Sequence, residues 1–526
     1  MRKETKRNLL VAATYAAVLF LGLLLGQNFT DENSHTGRNT LLPLRFIDNS
    51  GKVQRLIDLI ADNYVDSIGT DELQDLAIDE IVAHLDPHSE YLRPNQAFKQ
   101  HETLEGSFEG IGIEYYILND TLMTVGLIPG GPAQQAGMRV GDKLLAINGD
   151  TIAGNPISER MLEKKIRGRR GTAIEIAIHR NGIDLPLPLK VMRDRVEVSS
   201  IDAAYLVDSV TAYIKISRFG ARTAEDFEQS LRNLKKRGAQ QLILDLRENG
   251  GGYFNAATAL ASHFFNDKQL IVYTEGAHEP RVDYYSSADG LFGDGDLAVL
   301  IDESSASASE IVAGAIQDLD RGVIVGRRSY GKALVQEQFG FGDGSALNLT
   351  VARYFTPLGR CIQKSYTVTA DSLCHTGQLP LLGNLDTAAY TTTSGKLVYG
   401  GGGISPDVIV PADSSRASTL YRKIRRASLI ENYVYDRLTT SVPTYSVENY
   451  LKGYFLPETE YERFLQYIRE RGMGYSASEA DAARSMVRSD IEALLGRYYF
   501  GSEAFFKVKN RSDEVLAQAM LALNGK

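Results

Sequence analysis

Four serines crowd into residues 304 to 309, Ser304-Ser305-Ala306-Ser307-Ala308-Ser309, between an apolar run ending in Asp302-Glu303 and a helical pattern that begins at Glu310. Serine oxygens at such a junction accept hydrogen bonds from the orphan amides of a helix's first turn, and Ser307 with Glu310 has the spacing of a capping box. The position also suits a nucleophile. A hydroxyl held where a strand hands over to a helix lies beside amides that can stabilise an oxyanion. An activating base elsewhere decides between the two readings. None of the eight histidines stands in a triad motif, and Ser307 is not in G-x-S-x-G. Lys332, by contrast, follows Gly331 and precedes Ala333-Leu334-Val335. Among apolar groups an ammonium's pKa falls, and the neutral amine can accept a serine proton. The alternative is a surface lysine after a turn.

Other chemistry-bearing patterns carry less. His84 and His88 in His-Leu-Asp-Pro-His have the i, i+4 spacing of metal ligands, but Pro87 breaks the helix that would put both on one face, so a loop is expected. The run Gly250-Gly251-Gly252 matches neither G-x-G-x-x-G nor GK[ST]. Instead of cradling a nucleotide, it is expected to turn backbone amides into a cleft at a strand's end. Only two cysteines occur, Cys361 and Cys374, without a CxxC; they leave one disulfide open and support no zinc site. No metal and no cofactor is expected.

The chain has 526 residues, 43% of them hydrophobic, enough for several ordinary domains. A net charge of −9 and a pI near 5.6 argue against a nucleic-acid partner. Arg2, Lys3, Lys6 and Arg7 precede residues 9 to 26, eighteen positions without a charge. That length and flank predict an uncleaved membrane anchor over 1–27, with a cleaved signal as the alternative. The positive flank leaves the N-terminus cytoplasmic and the body outside; in a Gram-negative cell this means an inner-membrane anchor with a periplasmic body. A polar linker follows at 28–44, then a small helical region over 45–106. Short β-rich runs bounded by Gly, Asn and Asp fill 107–192, strands alternate with helices over 193–412, and 413–526 is charged and helix-rich. The last block is expected to pack on the core, with a second copy or an adaptor as other uses.

Within 107–192, Gly110-Ile111-Gly112-Ile113 and "GPAQQAGMRVGDKLLAINGD" resemble the carboxylate-binding loop and core signature of a PDZ domain. The resemblance implies that Gly110, Ile111, Gly112 and Ile113 bind a substrate's C-terminus while an extended peptide adds to a sheet edge. "DLRENGG", "SSASASEIVAGAI", "GRRSYGKALVQ", "GRCIQ" and "GGGISPDV", in that order, together with "LDPHSEYL", resemble the carboxyl-terminal processing (tail-specific) serine peptidases from the helical region to about residue 412. With the N-terminal membrane helix and the helical C-terminal region read above, the expected fold class is a multi-domain α/β protein whose middle is a small helical region, a PDZ-like β-domain and, as the resemblance implies, a crotonase-like α/β peptidase core. The resemblance implies Ser307 as nucleophile, Lys332 as general base, Gln336 as the residue orienting the lysine, and the amides of Ala308 and Gly251 as oxyanion hole. The partners it implies are proteins or peptides with apolar C-termini. Lys332 and Gln336 would meet in a helical turn but lie about 13 Å apart along an extended strand, so a bend is expected there. Asp302, where family members often carry Asn, and Cys361 are departures expected to stand clear of the chemistry. A catalytically silent PDZ scaffold would need a defective dyad, and a Ser-His-Asp protease would need a β-barrel pattern and a suitable His motif; neither fits.

Overall fold

The computed structural model describes residues 51–156, 158–364, 388–412, 418–439 and 446–525. The apolar run 9–26, the linker 28–44 and Cys374 lie outside them, and among the described residues no helix is long and apolar enough to cross a membrane. Helices α1 (Lys52–Asn63) and α2 (Thr70–Ala83) come first. A turn over 84–89 leads to the short strand β1 (Glu90–Leu92) and helix α3 (Pro94–Glu105). Pro94 opens α3, where a missing N–H costs nothing, and left-handed Gly106 closes it.

The β-rich unit follows. Strands β2 (Ser107–Gly110) and β9 (Asp194–Glu197) pair at its entry and exit. Between them lies a sheet in the order β3 (Ile113–Leu118), β4 (Thr121–Leu127), β5 (Lys143–Ile147), β7 (Ala173–His179), β8 (Leu187–Met192), with β6 (Asp150–Thr151) beside β5. Helices α4 (Pro132–Gln135) and α5 (Glu159–Ile166) complete it. Strand β7 shows the driving pattern: Ile174, Ile176 and Ile178 are buried while Ala173 and Glu175 are exposed, because successive side chains point to opposite faces.

The larger body is built on a six-stranded sheet, β10 (Ile201–Leu206), β11 (Thr211–Ile216), β12 (Gln241–Asp245), β15 (Asp296–Ile301), β16 (Val323–Gly326) and β21 (Val408–Ile409), parallel from β11 onward. Its strands read as near-continuous apolar runs because both faces are covered. Leu242, Leu244, Leu297, Val299 and Ile301 pack against helices α6 (Thr223–Lys236), α7 (Phe254–Ser262) and α8 (Ala308–Asp318). Ile243, Ala298, Leu300 and Val325 face the other way, onto Val515, Leu516, Ala519 and Leu523. These last four belong to the final helix, α15 (Glu514–Asn524), so the C-terminal region seals the back of the central sheet. A second, antiparallel sheet joins β1, β18 (Ala346–Phe355), β13 (Leu270–Glu275) and β14 (Val282–Tyr285), with β17 (Leu334–Gly340) also on β18. The remaining pair is β19 (Ala389–Thr391) with β20 (Leu397–Tyr399).

The C-terminal helices α9 (Thr419–Arg426), α10 (Leu429–Tyr433), α11 (Val447–Gly453), α12 (Glu458–Glu470), α13 (Ala477–Phe500) and α14 (Ser502–Lys509) build their own tyrosine-rich core. That core takes in Leu118 and Met123 of the β-rich unit. Tyr116 donates to Asn432 Oδ1 at 3.0 Å, and Arg497 pairs with Glu114 at 2.8 Å. The packing role expected for 413–526 is therefore seen on both the sheet and the β-rich unit.

At the C-terminal end of α8, Asp318 and Arg360 form an ion pair with both side chains almost fully buried. Arg360 also donates to Gln317 Oε1 and to the Tyr399 carbonyl, each at 3.0 Å, and Asp318 accepts from the Leu358 amide at 3.0 Å. Removing one partner strands the other charge away from water. Arg360→Ala is expected to cost about 3–5 kcal/mol in urea unfolding; a loss under about 1 kcal/mol would mean that water reaches Asp318.

Candidate active site

Strands β12 and β15 are parallel neighbours with Asp245 opposite Leu300, so the loops leaving their C-terminal ends, 246–253 and 302–307, rise side by side. Such crevices are where open α/β sheets bind ligands. Side chains knit the two loops together. Asp302 Oδ1 accepts from the amides of Glu248 and Ser304, both at 3.0 Å. Ser305 Oγ donates to the Leu246 carbonyl at 2.8 Å and Ser309 Oγ to the Asn249 carbonyl at 2.9 Å. The serine crowding thus has a reason: Ser305 and Ser309 brace the glycine loop, which leaves Ser307 half-exposed between them. Asp302, expected to stand clear of the chemistry, contributes to this brace, because its short carboxylate reaches both loop backbones.

Below the glycine loop lies an ionic cluster. Burial alone would raise the Asp245 carboxyl, but Arg247 and Lys215, with hydrogen bonds from Arg247 and Tyr213, hold it well below the usual carboxylate range. Arg247 also reaches Asp513, at 2.7 Å. Since Asp513 caps α15 by accepting from the Leu516 amide, the final helix is tied to the base of this loop.

Ser307 precedes α8 with φ 52° and ψ −112°. A non-glycine residue in such a conformation costs about 1–3 kcal/mol and persists only where its surroundings over-determine it. They do so here. Glu310, fully buried, accepts from the Ser307 amide at 2.9 Å, the Lys332 amide at 2.9 Å and the Gly331 amide at 2.7 Å, and also from Ser329 Oγ. From the other side the Tyr354 hydroxyl lies 3.1 Å from the Ser307 carbonyl and 2.6 Å from that of Lys332. The N–H groups of both residues are therefore gathered by one carboxylate and their C=O groups by one phenol. Burial pushes the Glu310 carboxyl up to about 7 despite these hydrogen bonds.

The loop carrying Lys332 is held from outside as well. Ala333 donates its amide to Gln363 Oε1 at 2.8 Å, Lys364 donates to the Gly331 carbonyl at 2.9 Å, and Ile404 donates to Ser329 Oγ at 2.6 Å. The "GRCIQ" and "GGGISPDV" segments are thus clamps on this loop. Lys332 Nζ donates to Gln336 Oε1 at 2.8 Å. The bend expected to bring them together takes the form of a shift in strand pairing, not of a helical turn. Gln336 lies in strand β17, whose pairing with β18 shifts register between Val335 and Gln336, and two long side chains span what remains. Burial lowers the Lys332 pKa from its ordinary value, partly opposed by Asp86, Glu310 and Glu90.

Ser307, Lys332 and Gln336 line one cleft of about 640 Å³, with Gly250, Gly252 and Ile311. Ala308 is the first residue of α8, where an amide has no acceptor within the helix. Gly251 differs from expectation: its amide donates to Asn249 Oδ1 at 2.9 Å, and Gly250 and Gly252 are the ones lining the cleft. Gly251 matters for space. It has φ +102°, and a Cβ there would stand 2.9 Å from Ser307 Cβ. Sequence reasoning missed Tyr354 altogether, and read Glu310 only as a cap. The signal for Glu310 was its glutamate type, a charge set just before the apolar, small-residue run 311–316.

Gly110, Ile111, Gly112 and Ile113 lie in the β-rich unit, and none of them lines this cleft. Gly110 ends β2 opposite Asp194, and the carbonyls of buried Ile111 and left-handed Gly112 accept from Ala133 at 2.8 Å and Ile128 at 3.1 Å. Ile113 opens β3, the end strand of its sheet, whose Ile113, Tyr115 and Ile117 pack against a core containing Leu162 and Ile166 of α5. His84 and His88 fall at the end of α2 and in the following turn, as expected of a loop.

Comparison with known proteins gives matches to "Peptidase family S41" over residues 210–373 and "PDZ domain" over 124–180. The carboxy-terminal processing protease CtpB of Bacillus subtilis is 32% identical over 316 residues, 60% of this chain and 65% of that protein. A carboxy-terminal-processing protease of Bartonella bacilliformis is 33% identical over 358 residues, 66% of this chain and 79% of that protein. A probable CtpA-like serine protease of Staphylococcus aureus is 31% identical over 317 residues, 60% of this chain and 62% of that protein. The chain thus spans just under two thirds of the length of the Bacillus and Staphylococcus relatives.

The Glu310 and Tyr354 ties are testable. Tyr354→Phe removes one hydroxyl without changing ring volume and should cost about 1 kcal/mol of stability in urea unfolding. For Glu310 the folded pKa, about 7, lies above the ordinary 4.5, so its contribution to stability is fully present below about pH 4.5 and is lost as pH rises through about 7. Urea unfolding at about pH 5 and pH 8 should therefore show wild type losing stability relative to Glu310→Gln. An unchanged gap would mean that charging this carboxyl costs nothing.

Proposed function

This chain belongs to peptidase family S41, among the carboxy-terminal processing proteases, and on that premise we propose that it is a serine endopeptidase cutting proteins at or near their C-terminal tails through a Ser307–Lys332 dyad. The observation that carries this reading is the Lys332 environment. Its amine is desolvated, lines the cleft that Ser307 lines, and donates to a neutral carboxamide. A carboxylate in place of Gln336 would hold the lysine protonated, whereas an amide oxygen orients the amine without competing for its proton.

The steps then follow. Neutral Lys332 accepts the Ser307 proton as Oγ attacks the scissile carbonyl, and the oxyanion sits against the Ala308 amide and a glycine-loop amide. The Lys332 ammonium returns the proton to the leaving amine, which departs with the tail and leaves an acyl-Ser307 ester. A water, deprotonated by Lys332, attacks that ester; collapse releases the new carboxyl terminus and restores the serine proton. No step calls for a metal or cofactor. The PDZ unit captures the substrate's apolar C-terminus by strand addition at β3, its carboxylate meeting the Gly110–Ile113 loop. Residues 9–26 anchor the chain with its body outside the cytoplasm; resistance to alkaline extraction from membranes, lost on deleting residues 1–27, is the expected result.

The test uses the full chain in detergent with an unfolded protein ending in an apolar tail. Ser307→Ala and Lys332→Ala should each lower cleavage by about a thousandfold or more. Lys332→Arg should not rescue, since a guanidinium stays protonated. The wild-type rate should rise with pH, with a midpoint below the ordinary lysine value of 10.5, and ignore chelators. Normal cutting by Lys332→Ala would remove Lys332 as the base.

A further inference from the structure

Gln336 can steady Lys332 only if its carboxamide oxygen, and not its amide nitrogen, faces the amine. The two ends have the same shape, so packing alone does not choose between them. The choice is made by a residue far away in sequence: Gln336 Nε2 donates to the backbone carbonyl of His88. A flip would put the carbonyl oxygen against another acceptor and the amide N–H against the amine.

We infer that the turn Asp86-Pro87-His88-Ser89 is a positioning element of the catalytic site, holding the His88 carbonyl where it fixes the orientation of Gln336. This rests on the dyad reading above and adds a part to its machinery. Asp86 builds the turn. Its Oδ1 accepts from the His88 amide at 2.8 Å and the Ser89 amide at 3.0 Å, and its Oδ2 accepts from Ser89 Oγ at 2.7 Å. Pro87 restricts the backbone between them.

The turn is then registered on the strand that also registers Gln336. Ser89 Oγ accepts from the Thr350 amide at 3.1 Å, and β1 continues along β18 with Glu90 opposite Asn348 and Leu92 opposite Ala346. Thr350 is the residue opposite Gln336 in the β17–β18 pair. One strand therefore sets both the donor and its acceptor. The His88 ring packs edge-on against Tyr330, centroids 6.4 Å apart, two residues before Lys332. Burial, with Lys332 nearby, holds the imidazole pKa below its ordinary value, so the ring adds no charge beside the base near neutrality. The histidine motif that resembled a metal site in the sequence thus contributes a backbone carbonyl.

The experiment compares Asp86→Ala, Asp86→Asn, Gln336→Ala and the double variant Asp86→Ala/Gln336→Ala in the full chain, with kcat, KM and thermal unfolding measured for each. Asp86→Ala should lower kcat about 10- to 100-fold with KM within about twofold, because the carbonyl drifts. Asp86→Asn keeps an oxygen for the His88 and Ser89 amides and should restore activity to within about fivefold of wild type. In the Gln336→Ala background Asp86→Ala should cost less than about twofold, since the two act as a unit. Multiplicative losses, or an Asp86→Asn no better than Asp86→Ala, would overturn the inference. Cleavage that survives Ser307→Ala would instead overturn the dyad reading, and the inference with it.

Discussion

A single buried carboxylate is the point on which this site depends. Glu310 has no contact with solvent and accepts from the amides of Ser307, Gly331 and Lys332. Ser307 and Lys332, the proposed nucleophile and base, come from segments 25 positions apart in the chain (332 − 307), and they leave different strands of the central sheet. Neither segment has regular structure at its functional residue, so neither is located by a helix or strand ladder. The carboxylate does that work, and Tyr354 matches it at the carbonyl side. The cost is visible in the electrostatics: burial raises the Glu310 pKa to about 7. Ser307 carries a further cost in its positive φ. Strain and a costly buried acid are tolerable only because the surrounding body is large and densely packed.

That body is sealed on both faces of the central sheet. Helices α6, α7 and α8 cover one face, and α15 covers the other. The tie from Asp245 through Arg247 to Asp513 runs from the end of β12, at the base of the glycine loop, to the start of α15. The last helix of the chain is therefore coupled to the loop that flanks the nucleophile. The C-terminal helices also grip β3 and β4 of the PDZ unit through Tyr116, Leu118 and Met123. One helical region thus touches both the unit proposed to capture a tail and the sheet beneath the cleft.

The choice of partner for Lys332 follows the same logic of charge. A lysine serves as a base only when neutral, and burial favours the neutral form. Asp86, Glu310 and Glu90 pull the other way, yet the group in direct hydrogen bond is an amide. Direction without charge is what a carboxamide supplies, provided its flip is fixed.

Much of this could be read along the chain. Glycine boundaries marked the β-rich unit, and the alternation of strand and helix, with QLILD and DLAVLI among the strands, marked the α/β unit. The serine cluster and the lysine after a glycine stood out as candidates by residue type and immediate neighbours, although those neighbours left a helix cap and a surface lysine as alternatives and the resemblance implied the roles. Tertiary structure alone decided how they are held. That Ser305 and Ser309 brace a distant loop, that Tyr354 faces the carbonyls of Ser307 and Lys332, and that α15 closes the core are contacts between residues tens to hundreds of positions apart, which no local period encodes. The bend at Gln336 shows the difference well. The i, i+4 spacing called for a bend but not for its kind; pairing with β18 made the segment a strand, and a shift in that pairing left the two side chains within reach. The amino-acid types determined what chemistry was available; the folded packing determined which atoms meet, because proximity in space is set by strand pairing and burial and not by distance along the chain.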